Sequence, residues 1–246
     1  MDALSLPQFV FFCFVIVISY AIRGTAGFGG VTVPLLVWVM SLKTVVPMVT
    51  FLGILSSAAV LRTEYQHIVW RDLWRVMPWC ILGVAAGVYS FKVLDAQTLA
   101  RALGGFVVAY GTYSFWASHR SVAGVKLPMY AVTPAAGTVA GFVGTIFGSM
   151  AGMFFAIYLD VLKHGKHEFR ATVAGILFGL GLFRGAGYVS IGAFDRDALL
   201  ACAVALPMMM IGVFVGNRMH ASLAPLAFKR LVAAILIASG VPLIVR

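Results

Sequence analysis

The chain has 246 residues, of which 62% are hydrophobic and only 11% charged, with a mean hydropathy of +1.01. Too little polar surface is left to coat a water-soluble globule, so the class that remains is an all-α polytopic membrane protein with no separate soluble domain. The net charge of +10 does not point to nucleic acid, because the basic residues sit in short loops between apolar runs and form neither a stripe nor a tail.

Apolar runs occupy 5–22, 25–42, 44–61, 73–91 and 98–117, then 128–147, 150–162, 170–193, 198–217 and 226–245. In a bilayer each reads as helical, since a helix satisfies its backbone polar groups within one segment. The first run follows MDALSLPQ, which lacks the basic region that opens a cleaved signal peptide, and is expected to stay in the mature protein. The second is interrupted by RGTAGFGGVTVP, Arg23 to Pro34. Beyond its glycines only about 18 Å of helix remains, against a hydrocarbon core of roughly 30 Å. The third run ends at Arg62 and opens the basic loop RTEYQHIVWRDLWR, in which Glu64 and Asp72 read as loop carboxylates balancing Arg62, Arg71 and Arg75. Trp70, Trp74 and Trp79 flank that loop as an interfacial belt would.

The sixth run closes with GTIFGSMAG, Gly144 to Gly152, and the piece after it, 150–162, rises only about 20 Å. Asp160, with His164 and His167 beyond it, could titrate and couple transport to protons, although a solvated cytoplasmic loop is the preferred reading of all three. Arg184 lies inside the apolar run that follows, where a cation is costly unless it faces a cavity or a partner. Cys13, Cys80 and Cys202 stand singly in apolar segments and read as small buried hydrophobes. No carboxylate pair, activated nucleophile or metal constellation is in view, so neither an enzyme nor a cofactor protein is expected.

The second half of the chain repeats the first. At an offset of 120, Gly24-Thr25 falls on Gly144-Thr145; at 122, Thr50, Gly53, Ile54, Leu55 and Arg62 fall on Thr172, Gly175, Ile176, Leu177 and Arg184. At 129, Pro78, Gly83, Gly87 and Arg101 fall on Pro207, Gly212, Gly216 and Arg230. Two repeats of about five elements each, 5–117 and 128–245, are expected, with the early elements of each short or re-entrant. The basic loops all fall on one side if the segments alternate, which puts both termini outside, and an odd number of elements per half inverts the second half.

Short, glycine-interrupted segments at matching places in two halves point to discontinuous helices around a transporter site. Glycine lets backbone N–H groups approach a ligand closely, and a half-helix offers it a positive end. Gly24, Thr25, Gly27, Phe28, Gly29 and Gly30 would then cradle a small anion from one repeat, and Gly144, Thr145, Gly148, Ser149 and Gly152 from the other, with Arg62 and Arg184 as clamps. Arg23 faces substrate if it sits at the tip of a hairpin, and merely marks the basic side if it sits in a loop between full spans. The competing use of all these glycines is tight helix packing.

The stretches GTAGFGGVTVPLLVWV and TFLGILSSAAVLR, echoed by GTIFGSMAGMFF and TVAGILFGLGLFR, resemble the TauE/SafE sulfite exporter family, also called toluene-sulfonate uptake permeases. The resemblance spans nearly the whole chain and implies a multi-pass carrier in the bacterial inner membrane for small sulfur-containing anions such as sulfite or an organosulfonate, working with the proton gradient. It maps the family's glycine-rich loop and proline to Gly27, Gly29, Gly30 and Pro34; the second copy departs, with Phe154 and Phe155 near the place of the proline. A passive anion channel, a carrier of small carboxylates and a sulfur-handling protein that uses the cysteines remain as alternatives. The long helices also leave room for a homodimer.

Overall fold

The computed structural model describes residues 5–26, 30–117, 129–148, 150–161, 165–218 and 225–245. Ten helices follow one another there: α1 Leu6–Ala26, α2 Thr32–Leu36, α3 Leu42–Glu64, α4 Trp70–Val93, α5 Ala96–Ala117, α6 Met129–Phe147, α7 Ala151–Val161, α8 Lys166–Ser190, α9 Arg196–Arg218 and α10 Pro225–Val245. A single 3-10 turn, Tyr65–His67, continues α3. No strand occurs among the described residues. Segments of α1, α4, α8 and α9, and α3 with its 3-10 turn, are each long and apolar enough to cross a membrane. Phe14, Leu82, Met210 and Phe214 are more than half exposed on their outward faces, as lipid-facing side chains are.

Two elements cannot cross. With five residues α2 rises about 7.5 Å, and with eleven α7 rises about 17 Å, against the roughly 30 Å of a hydrocarbon core. The chain instead doubles back. Phe11, near the start of α1, stacks on Trp38 just past α2 with ring centroids 6.4 Å apart, so both ends of the α1–α2 hairpin lie on one face. The α6–α7 hairpin closes in the same way, with Val132 and Ala136 packed beside Phe155, Tyr158 and Leu159. The first break falls later than the sequence suggests: Gly24 and Thr25 belong to the last turn of α1.

The two hairpins are held by different helices. α1 packs along α9 and α6 along α4, while α3 meets α8 and α5 meets α10; α3 also touches α9, and α4 touches α8. Small residues allow these close approaches. A side chain at Gly83 of α4 would run into the backbone of α6 at Thr138 and Phe142, and one at Gly216 of α9 into the backbone of α1 at Ala21. Asp72, expected in a solvated loop, is instead buried in the first turn of α4, where the positive end of the helix favours a carboxylate.

Candidate functional site

Arg184 on α8 is 5% exposed and stands where the tip of the α6–α7 hairpin meets α3. Its Nη1 donates to the carbonyl of Gly144, and its Nη2 donates to the carbonyl of Gly148 and to Thr50 Oγ1, each at 2.7 Å. One turn further along α8, the Tyr188 hydroxyl donates a very short hydrogen bond to the carbonyl of Thr145. The final carbonyls of a helix have no partner within it, and a cation beside them is favoured by the helix dipole. Arg184 and Tyr188 therefore close the end of α6. Gly148 ends this helix at φ +77°, a left-handed conformation that suits glycine, and a side chain there would stand 3.3 Å from Val33 of α2. The two hairpin tips thus meet beside Arg184.

The second cation is Arg23, in the last turns of α1. Its Nη2 donates to the Gly53 carbonyl at 3.3 Å and to Ser57 Oγ at 3.1 Å, and its guanidinium lies 5.9 Å from the centre of the Tyr20 ring. Thr50, Gly53 and Ser57 are spaced i, i+3, i+7 and share one face of α3, so both arginines reach the same stripe of one helix. The rise from Thr50 to Gly53 is about 4.5 Å. Each guanidinium is bound by carbonyl and hydroxyl oxygens. Among the described residues no carboxylate forms a hydrogen bond or an ion pair with either guanidinium. Arg184 Nε, Tyr20 OH and Ser19 Oγ are buried without a hydrogen-bond partner.

Among the expected site residues, Arg184, Gly144, Thr145 and Gly148 come together here. Gly144 and Thr145 of α6 and Gly148 just past its end offer carbonyls to Arg184 and Tyr188, and the Thr145 hydroxyl is spent on Gly141 O at 2.6 Å. Gly152 is buried in the first turn of α7, and Gly30 is buried just before α2. Gly24 and Thr25 lie in α1, whereas Gly27, Phe28, Gly29 and Ser149 lie outside the described residues. Arg62 is exposed in the last turn of α3, about 18 Å of helix beyond Thr50, and is not brought to the same point. Thr50, Ser57, Tyr20 and Tyr188 escaped the sequence reading, although Tyr188 stands one helical turn from Arg184 and the 50/53/57 stripe is visible once α3 is known to be a helix.

At the far end of α3 a separate polar cluster joins α3 to α8. Glu64 Oε2 lies 3.3 Å from His167 Nδ1 and 3.5 Å from His67 Nδ1, and its Oε1 lies 4.0 Å from Arg170 Nη1. Glu64 thus pairs within its own loop, at His67, and across to α8, at His167 and Arg170. Asp160 and His164 have no described side chains. Among the described residues no group of three His, Cys, Asp or Glu side chains is placed to hold a metal ion.

The family model for Sulfite exporter TauE/SafE matches residues 11–243. The chain belongs to the TauE/SafE sulfite exporter family. This is a transporter family, and the helical structure of the described residues, with five helices among them long and apolar enough to cross a membrane, makes the chain a polytopic membrane member. The TauE/SafE relatives include a protein of Comamonas testosteroni named "Probable inner membrane transporter protein TsaS", 28% identical over 183 residues, which are 73% of this chain and 74% of the relative. A second, from Cupriavidus necator and named "Probable sulfite/organosulfonate exporter TauE", is 26% identical over 211 residues, 81% of this chain and 78% of that protein. No solved structure matches the chain.

Thr50 tests the architecture of the centre in this TauE/SafE chain. Thr50→Val leaves one buried Arg184 N–H without an acceptor, a cost of about 1–3 kcal/mol, whereas Arg62→Ala on an exposed turn costs within about 0.5 kcal/mol. Thermal unfolding in detergent should separate them clearly. Equal midpoints for the two variants would remove Thr50 from the load on Arg184.

Proposed function

We propose that the protein is a secondary transporter that exports small sulfur-containing anions, such as sulfite or an organosulfonate, across the bacterial inner membrane. The observation that carries this reading is the pair of arginines, Arg23 from α1 and Arg184 from α8, that reach one face of α3 and are held by neutral oxygens, with no carboxylate bonded to either among the described residues. Such a centre attracts an anion and repels a cation. The printed names of the relatives, an inner membrane transporter and a sulfite/organosulfonate exporter, supply the cargo and the membrane.

In this reading the anion binds beside Arg184 and Arg23, and the glycine-rich stretches Gly24–Gly30 and Gly144–Gly152 are the proposed source of backbone N–H groups for it. Arg62 meets the anion at the basic mouth of the path. The halves 5–117 and 128–245 act as inverted repeats that expose the centre to one side and then the other. The exchange of packing partners supports this: α1 with α9 mirrors α6 with α4, and α3 with α9 mirrors α8 with α4. Protons drive the cycle, with Glu64, His67 and His167 as titratable groups at the inner ends of α3 and α8.

The test is uptake of radiolabelled sulfite and of a small carboxylate into proteoliposomes, with and without an imposed pH gradient. Saturable sulfite flux that responds to the gradient, and survives replacement of Cys13, Cys80 and Cys202 by serine, is the expected result. Flux that never saturates would make the protein a channel, preference for the carboxylate would change the cargo, and loss of flux with the cysteines would move the chemistry to the thiols.

A further inference from the structure

Arg184 and Arg23 bring two positive charges to Thr50, Gly53 and Ser57, on one face of one helix. A guanidinium keeps its proton in proteins, so neither can shed its charge to relieve burial. Carbonyls and hydroxyls solvate these cations without neutralising them, and burying two like charges side by side without a counter-charge is costly. A ligand that supplies the missing negative charge removes that cost.

Three buried polar atoms have no hydrogen-bond partner among the described residues: Arg184 Nε and, on α1, Tyr20 OH and Ser19 Oγ, Ser19 standing one helical turn before Arg23. Tyr20 lies against the guanidinium of Arg23, and its field reaches Arg184 as well. One N–H and two hydroxyls are the donors an acceptor-only oxyanion requires. The remaining titratable neighbours are Tyr188 of α8 and Cys202 of α9, both uncharged at neutral pH by their ordinary values. Among the described residues no acidic side chain competes for the cations.

We infer that this centre, taken as the transport site of the reading above, selects its cargo by charge: it takes doubly charged oxyanions in preference to singly charged ones, with the hydroxyls of Tyr20 and Ser19 as additional donors. Sulfite is carried as the dianion rather than as hydrogensulfite. An organosulfonate is a good substrate only when it bears a second acidic group, because a simple sulfonate leaves one guanidinium uncompensated.

The experiment compares three radiolabelled probes in proteoliposomes: sulfate, which stays doubly charged; methanesulfonate, which stays singly charged; and sulfite, which gains its second charge near neutral pH. At slightly alkaline pH, sulfate and sulfite are expected to show a KM at least about tenfold below that of methanesulfonate, equivalent to about 1.4 kcal/mol. As the pH falls, the sulfite KM rises in step with loss of the dianion while the sulfate KM stays level. Arg23→Gln removes one charge and leaves the Arg184 anchor of α6 in place; it should raise the sulfate KM about tenfold and change that of methanesulfonate less than about threefold. Arg23→Lys keeps the charge and should keep the preference, which separates charge from packing. Tyr20→Phe should raise the KM of all three. Equal KM values for sulfate and methanesulfonate in the wild type, or an equal loss on all probes in Arg23→Gln, would overturn the charge selection and leave the transporter intact. If none of the three anions enters the vesicles, the transport reading fails, and charge selection falls with it.

Discussion

Arg184→Ala is expected to abolish anion transport and to lower the unfolding midpoint of the detergent-solubilised protein, the largest combined loss expected from any single side chain. The guanidinium donates to Gly144 O, Gly148 O and Thr50 Oγ1, and hydrogen bonds to a charged group contribute about 1.5–3 kcal/mol each. Alanine removes the guanidinium donor from all three acceptors, and the end of α6 loses the cation that its dipole favours. The hairpin tip that touches Val33 is then untethered. Arg184→Lys separates the two roles of the residue. A single ammonium restores the charge but cannot span acceptors on two helices in the planar fork of a guanidinium. It should therefore recover part of the midpoint while transport stays below about a tenth of wild type, a deficit of at least about 1.4 kcal/mol. Wild-type flux and midpoint in Arg184→Ala would show that the centre neither holds the fold nor meets the anion.

The second large effect concerns assembly of the helices. Gly83→Val and Gly216→Val each place a branched side chain against the backbone of a neighbouring helix. Built as a Cβ alone, the first would sit 2.8 Å from the Phe142 amide nitrogen and the second 2.9 Å from the Ala21 carbonyl carbon. Overpacking costs about 1–3 kcal/mol where side chains can yield, and backbone yields less, so the loss should reach or exceed the upper end. Both variants are expected to collapse the yield of monodisperse protein in size-exclusion chromatography. Gly105→Ala is the control: nothing lies within 4 Å of its Cβ, and a better helix former there should leave the protein intact or stabilise it by up to about 1 kcal/mol. A Gly83→Val protein that folds like wild type would mean that α4 and α6 can separate without penalty.

Much of this architecture was legible in the chain because the forces behind it are local. A hydrophobic run in lipid must be helical, since water is absent and only the helix satisfies its own backbone. The run lengths accordingly anticipate ten elements, and the glycine clusters at Gly27–Gly30 and Gly144–Gly152 mark where two of them stop short. Arg184 could be singled out for the same kind of reason, because a cation inside an apolar segment demands an explanation from the sequence alone.

Its supposed twin shows where local reasoning stops. Arg62 and Arg184 occupy matching positions at an offset of 122, yet α3 ends at Glu64, two residues past Arg62, whereas α8 runs on to Ser190. One arginine is therefore exposed on a terminal turn and the other lies in the packed interior. Arg23 was legible only as a choice between a loop and a hairpin tip. Its contact with Gly53 and Ser57 required knowing how α1 lies against α3.

By itself, then, the sequence determined the membrane class, the helical elements, the interrupted segments and the one arginine buried by its own surroundings, all consequences of composition and of spacing within single segments. Only the tertiary structure decided that Arg23 joins Arg184 on the Thr50 stripe, that Tyr188 and Arg184 close the end of α6, and that Arg62 stays apart. Those contacts join residues 30 to 134 positions apart. Which faces of which helices meet is set by the sum of many small packing terms along their whole length, and no single stretch of the chain carries that sum.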